Sequence, residues 1–199
     1  MTTIPHTATG TLSIVLCIAC LYGQAVAAIK APEVDENTLL LYHFEGDAEN
    51  QVIDASPLGL HGELNQGTLQ RTDGIVGKCA RISADQVIRP QGPTEKLRGM
   101  DQLAVECWFR CTEEGLEHRQ RIIRYWNHYL INVFEGHRLR CHVYDSDGEP
   151  YILAGGDEIL PDVWYHVALT TDGQRARLYL DGEVVSSAKM TGPVNDSPD

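Results

Sequence analysis

Four dipeptides of an acid followed by glycine divide the second half of the chain: Glu135-Gly136, Asp147-Gly148, Asp172-Gly173 and Asp181-Gly182. Such pairs tolerate the positive φ angles of tight hairpin turns, so each joins two neighbouring antiparallel strands. Around them lie short apolar runs at Thr38–Phe44, Cys79–Ser83, Leu103–Cys111, Arg121–Trp126, Tyr129–Phe134, Leu139–Tyr144, Val163–Thr171, Ala176–Leu180 and Val184–Ala188. No apolar pattern with the helical period of about 3.6 residues persists. Regularly spaced strands without helices give an all-β fold, a sandwich or a barrel. In the Val163–Thr171 run, Val163, Tyr165, Val167 and Leu169 share one face, and Trp164, His166, Ala168 and Thr170 the other. A strand apolar or aromatic on both faces belongs inside a layer, not at its edge. In the next run Leu178 and Leu180 point one way and Arg177 and Tyr179 the other, so one face there is wet.

The first 27 residues read as an export signal. They contain no Asp, Glu, Lys or Arg, and their apolar stretch Leu12–Leu21 is too short for a bilayer span of roughly 20 residues. Ala25-Val26-Ala27 is the small-x-small pattern that a signal peptidase accepts, which places cleavage after Ala27 and a soluble product outside the cytoplasm. A lipoprotein signal at Cys20 is the rival, but Cys17 stands where Leu is expected. Residues 28–35 then form a linker, 36–190 the folded domain, and 191–199 a tail or a truncated end. The chain carries 28 Asp+Glu against 16 Lys+Arg, a net charge of -12, which argues against nucleic acid as a partner.

Export also sets how the cysteines read. Cys79, Cys107, Cys111 and Cys141 become disulfide candidates in an oxidising compartment. Four residues of strand span about 13 Å, beyond the reach of a disulfide, so Cys107 and Cys111 would each partner Cys79 or Cys141, in either order, or stay as free buried thiols. Zinc is the alternative, weakened by the absence of a C-x-x-C pair.

Trp164-Tyr165-His166-Val167-Ala168-Leu169-Thr170, Asp172-Gly173 and Leu178-Tyr179-Leu180-Asp181-Gly182-Glu183 together resemble the signature hairpin of the laminin-G-like branch of the concanavalin A-like lectin/glucanase superfamily. Three earlier pieces agree in order: Leu39–Gly46 resembles the opening strand, Val52–Gly62 the Asp-x-Ser loop, and Val105-Glu106-Cys107-Trp108-Phe109 the central strand. The resemblance implies a jelly-roll sandwich of two antiparallel sheets, extracellular and non-catalytic, that binds carbohydrate or a protein surface, commonly within a larger secreted or surface protein. The family closes with two further strands, and here Thr191–Asp199 follows instead, so the sandwich is expected to lack its last strands.

Glucanases of the superfamily carry E-x-D-x-x-E on one strand, where two carboxylates act as acid and nucleophile. This chain has Glu33-Val34-Asp35 but Thr38 in the last place, and Glu106 stands alone on its strand. There is no G-x-S-x-G elbow for an activated serine, and His166 reads as a half-buried hydrogen bonder. The expectation is therefore no enzyme, with a glycoside hydrolase as the least favoured reading. Calcium is the candidate cofactor, since related domains hold it through loop carboxylates; Asp54 and Asp85 are the candidate ligands, with simple loop capping the alternative. Asp145-Ser146-Asp147-Gly148 reads as a hairpin turn. The last constellation is basic. Between Glu117 and His142, Arg119, Arg121, Arg124, Arg138 and Arg140 face two glutamates, a local excess of +3, with Tyr125, Trp126, Tyr129 and Tyr144 interleaved. Guanidinium forks grip carboxylate or sulfate and aromatic faces stack on sugars, so Arg119, Arg121, Arg124, Trp126, Arg138 and Arg140 are the candidate ligand-binding residues. The plainer reading is two solvated hairpin faces. The functional expectation is a secreted module that binds a glycan or an extracellular protein, with a spacer domain of a larger surface protein as the alternative.

Overall fold

Thirteen strands make up nearly all of the regular structure among the described residues, and the long ones come from the longer alternating runs. The computed structural model describes residues 29–46, 49–83 and 85–198, so the export segment lies outside the described residues. All the elements belong to the unit Ala31–Asp199; of the unit Met1–Lys30 only Ile29 and Lys30 are described, and both are exposed. The first half carries short strands: β1 (Gln51–Val52), β2 (Gly62–Leu64), β3 (Gln70–Asp73), β4 (Lys78–Arg81) and β5 (Ile88–Pro90). The second half carries long ones: β6 (Leu103–Phe109), β7 (Gln120–Tyr125), β8 (Tyr129–Phe134), β9 (Arg138–Tyr144), β10 (Pro150–Gly155), β11 (Tyr165–Thr171), β12 (Arg175–Leu180) and β13 (Glu183–Lys189). A single helical turn, α1 (Glu113–Leu116), links β6 to β7.

Two four-stranded antiparallel sheets, ordered β13-β12-β11-β6 and β10-β9-β8-β7, pack face to face as a two-sheet sandwich of the jelly-roll class. Strand alternation explains the packing. Ile131 and Val133 of β8 and Leu139, Cys141 and Val143 of β9 point inward, to meet Val167 and Leu169 of β11 and Ala176 and Leu178 of β12, all at 1% exposure or less. Each such branched side chain contributes about 1.5–3 kcal/mol by leaving water. β11 lies inside its sheet, as its two apolar faces require, and Leu178 is buried while Arg177 and Tyr179 on the other face are not. At Asp181-Gly182 both residues adopt positive φ, 50° and 84°, and the turn pairs Leu180 directly with Glu183. That is the primed hairpin geometry which an Asp-Gly pair supplies at little cost.

Three expectations need correction. The Thr38–Phe44 run forms no extended strand; it makes one bridge, Tyr42 to Asp54, beside the small sheet β1-β2-β5. The β6 strand stops at Phe109, so Cys111 lies beyond it, and Arg110 turns out over the Trp164 ring at 5.0 Å. The four cysteines Cys79, Cys107, Cys111 and Cys141 carry free thiols rather than disulfides. Cys79 sits on the β3–β4 hairpin with its sulfur 3.2 Å from the Thr72 hydroxyl, away from the sandwich core that holds the other three. Burial raises the thiol pKa of Cys107 and Cys141 to about 12 and that of Cys111 to about 11, with the Glu106 charge adding to the effect at Cys107. These are small apolar core residues with inert thiols.

Residues 191–198 are laid along the end of the sandwich. The Val194 amide donates to Met100 O at 3.0 Å, the Asn195 amide to Tyr144 O at 2.9 Å, and Arg98 Nη1 to Ser197 O at 2.9 Å. Val194 is fully buried.

Candidate functional site

The basic residues singled out in the sequence converge on the outer face of the β7–β10 sheet, and a bulge is what brings them there. Arg121 and Arg124 are three residues apart and would point to opposite faces of a regular strand. The register shifts between Arg121 and Ile123, so Arg121 pairs with Asn132 and Arg124 with Leu130, both on the outer face. The side chains of Ile122 and Ile123 pack against the core instead. Continuing across the sheet, Asn132 pairs with Arg140 and Leu130 with His142. Arg140 and His142 are followed on β10 by Ala154 and Ile152. Two cross-strand rows result: Arg121–Asn132–Arg140, and beside it Arg124–Leu130–His142.

Aromatic rings hold the guanidinium groups. The Arg119 and Arg140 guanidinium carbons lie 4.3 and 4.7 Å from the Phe134 ring centre, and that of Arg124 lies 3.9 Å from the ring of Trp126, which is 57% exposed. Arg138 is spent locally, its Nη1 donating to Gly156 O at 2.9 Å. Among the described residues none of these five arginines forms an ion pair. Among the described residues, two buried polar atoms on the central row find no hydrogen-bond partner: Asn132 Oδ1, on a residue 2% exposed, and Arg140 Nε. The electrostatics follow from crowding. Burial, with the charges of Arg140 and Arg119, holds the His142 pKa below the ordinary imidazole value, and burial with the nearby Arg121 lowers that of Arg124.

The family model described as the concanavalin A-like lectin/glucanases superfamily, of laminin-G type, matches residues 86–199, which include β5 to β13 and the whole arginine face. The chain belongs to this superfamily. A solved structure of the binding domain of Paraclostridial Mosquitocidal Protein 1 is similar, with a TM-score of 0.54 at 16% identity, covering 75% of this chain and 42% of that one. At that identity the likeness is one of fold, and this chain spans less than half of its neighbour. No curated protein matches.

Of the two carboxylates proposed as calcium ligands, that of Asp54 has other work. Asp54 is 5% exposed, and its Oδ1 accepts from the Leu41 and Ser56 amides, both at 2.9 Å. Its Oδ2 accepts from the Ser56 hydroxyl at 2.7 Å and the Leu60 amide at 2.8 Å. Four donors surround the group, so it clasps the loop between β1 and β2 and does not suit a cation. Burial alone would raise its pKa; the donations from Leu41, Ser56 and Leu60 outweigh that and hold it below the usual carboxylate value. Asp85 is exposed on a different loop, and its backbone oxygen accepts from the Asn65 and Gln66 side chains at 3.1 and 2.9 Å. Among the described residues no three His, Cys, Asp or Glu side chains group together.

Glu106 pairs with His166, Oε2 to Nε2 at 3.4 Å, on the outer face of the other sheet beside Trp108. A carboxylate that the sequence left as a turn residue proves the more important. Asp145 is 1% exposed and accepts from the Asp147 and Glu149 amides on Oδ1, each at 3.0 Å. Its Oδ2 accepts from the Tyr151 and Thr191 hydroxyls, each at 2.9 Å. It ties the β9–β10 hairpin to the C-terminal segment. The signal was present in Asp145-Ser146-Asp147-Gly148, where a leading Asp caps the turn that follows.

Proposed function

We propose that this chain is a secreted, non-catalytic module that binds carbohydrate through the outer face of the β7–β10 sheet. The observation that carries the reading is Trp126, 57% exposed with the Arg124 guanidinium 3.9 Å from its ring, at the border of a sheet face whose arginines form no ion pair among the described residues. Exposed aromatic faces stack on sugar rings, and flat forks of N–H donors match hydroxyl and carboxylate oxygens. Membership of the superfamily supports a carbohydrate-binding type of module. A non-catalytic role is supported by the engagement of the carboxylates: Glu106 faces His166, and Asp54 and Asp145 are saturated by donors. Secretion is supported by the uncharged, apolar leader ending in Ala25-Val26-Ala27.

The test is a glycan-array screen of the exported chain, run with calcium and again with a chelator, after N-terminal sequencing of the secreted product. Sequencing is expected to start at Ala28. Binding to a defined sugar class is expected to survive chelation, because the Asp54 carboxylate is already filled. A folded chain that binds no glycan under either condition would sink the reading and return the spacer alternative.

A further inference from the structure

Resting on the proposal that this face binds carbohydrate, we infer that the Arg121–Asn132–Arg140 row is a subsite for an acidic sugar, one that presents a carboxylate or sulfate beside a hydroxyl group. The argument starts from charge. In a chain of net charge -12, the segment from Glu117 to His142 is locally +3, and none of its arginines has a carboxylate partner among the described residues. A free guanidinium fork on a flexible stem is ordinary surface chemistry. Here Arg140 and Arg119 are stacked on Phe134, which fixes the plane of each fork before a ligand arrives.

The row also asks for two kinds of partner at once. Among the described residues, Arg140 Nε is a buried donor with no acceptor, and Asn132 Oδ1 is a buried acceptor with no donor. The pairing Arg121–Asn132–Arg140 sets the amide between the two arginines, one strand spacing of about 4.8 Å from each. A bare inorganic anion brings only acceptors and leaves Asn132 unmet. A uronate or a sulfated sugar brings an anionic group for the forks and a hydroxyl donor for the amide, within the span of one ring. A long polyphosphate chain suits the site less, because the remainder of a -12 surface repels it beyond the local excess.

His142 supplies an internal reporter. It faces Arg124 across Leu130 in its own row and Arg140 and Tyr144 along β9; its β10 partner, Ile152, carries no charge. Burial, with the Arg140 and Arg119 charges nearby, holds its pKa below the ordinary imidazole value. An anion lodged among those arginines offsets their charge, so the imidazole pKa must rise on binding. By linkage, affinity increases as pH falls through the imidazole range.

The experiment is calorimetric titration of the exported chain with trigalacturonate, a sulfated disaccharide, neutral galactotriose and a short oligothymidylate. Either acidic sugar is expected to bind at least about tenfold more tightly than galactotriose, as one added charge-assisted hydrogen bond allows. The two acidic probes distinguish carboxylate from sulfate. Arg121→Ala/Arg140→Ala is expected to weaken acidic-sugar binding about a hundredfold, and Arg121→Lys/Arg140→Lys, which keeps charge and fold but loses the fork, by an intermediate factor. The matched pair Arg175→Ala/Arg177→Ala on the opposite face should change it less than about twofold. Binding should be tighter at about pH 5.5 than at about pH 8, and His142→Gln should flatten that dependence. Galactotriose binding as tightly as trigalacturonate would overturn the acidic-sugar inference and leave carbohydrate binding standing. Silence towards all three sugars would overturn both, and tighter binding of the oligothymidylate would replace the sugar with nucleic acid.

Discussion

The two outer faces of the sandwich carry similar side chains and use them differently. On the β13-β12-β11-β6 face, Arg177 meets Asp172 at 3.1 Å and His166 meets Glu106 at 3.4 Å. Arg175 reaches the Ser187 hydroxyl at 3.4 Å. On the β7–β10 face, Arg119, Arg124 and Arg140 rest on Phe134 and Trp126, and among the described residues neither they nor Arg121 forms an ion pair with an acid. Two acids that follow β9 and β10 in the sequence are committed to the fold. Asp145 is filled by four donors, and Glu158 is paired with His137 at 3.1 Å. What separates a decorated face from a candidate site is therefore not the number of arginines. It is whether a carboxylate is paired with them, as Asp172 is with Arg177.

The largest effect should come from removing the committed acid that follows β9. Asp145→Ala leaves two hydroxyls and two amides without their acceptor and frees the C-terminal segment from the β9–β10 hairpin. It is expected to cost about 3 kcal/mol, measured by urea unfolding. Acidic-sugar affinity of the molecules that remain folded should be unchanged. An affinity that moves with Asp145 would mean that this carboxylate sets the charge of the face, and the division between paired and unpaired arginines would fail.

A smaller and related effect is acid sensitivity. Burial pushes the Asp145 pKa upward, but the Tyr151 and Thr191 hydroxyls and the Glu149 and Asp147 amides outweigh it, and the folded value lies below the ordinary 3.8. Asp54 is depressed in the same way by Leu41, Ser56 and Leu60. A depressed carboxylate contributes stability that is fully present above its unfolded pKa and is lost as pH falls through the folded one. Stability should thus hold from neutrality down to about pH 4 and drop below it. In Asp145→Asn the drop should shrink, with lower stability throughout. An unaltered acid limb in that variant would show that Asp145 does not carry the effect.

Much of this architecture was legible before any coordinates, for a definable reason. The β8, β9, β11, β12 and β13 strands come from alternating runs closed by acid-glycine turns, so period and punctuation agree. β10 gave no such signal: it begins at Pro150, a residue suited to the start of an edge strand, and its outward Ile152 is exposed. The strands β1 to β5 have two to four residues each, too few for a period to register. The cysteines misled because compartment and an even count favour disulfides, whereas pairing depends on distances between strands that composition cannot supply. The arginine cluster was visible as a local charge excess. That Arg121 and Arg124 share a face, with Asn132 between Arg121 and Arg140, depends on the bulge and the register, which no single strand encodes.

The smallest expected effect probes the comparison from its other side. In Asp172→Asn the side-chain oxygen can still accept from the Gln174 and Arg175 amides, at 3.0 and 2.7 Å, so the turn before β12 survives. What is lost is the carboxylate oxygen that holds Arg177 at 3.1 Å. The substitution therefore creates an unpaired guanidinium on the opposite face without unfolding the hairpin. That fork rests on no ring and flanks no buried amide, so trigalacturonate affinity should change less than about twofold and the stoichiometry should stay at one. A second binding event in the titration would show that free charge alone suffices. Ring stacking and the orphaned amide of Asn132 would then be incidental, and every unpaired arginine on either face would have equal standing as a ligand contact.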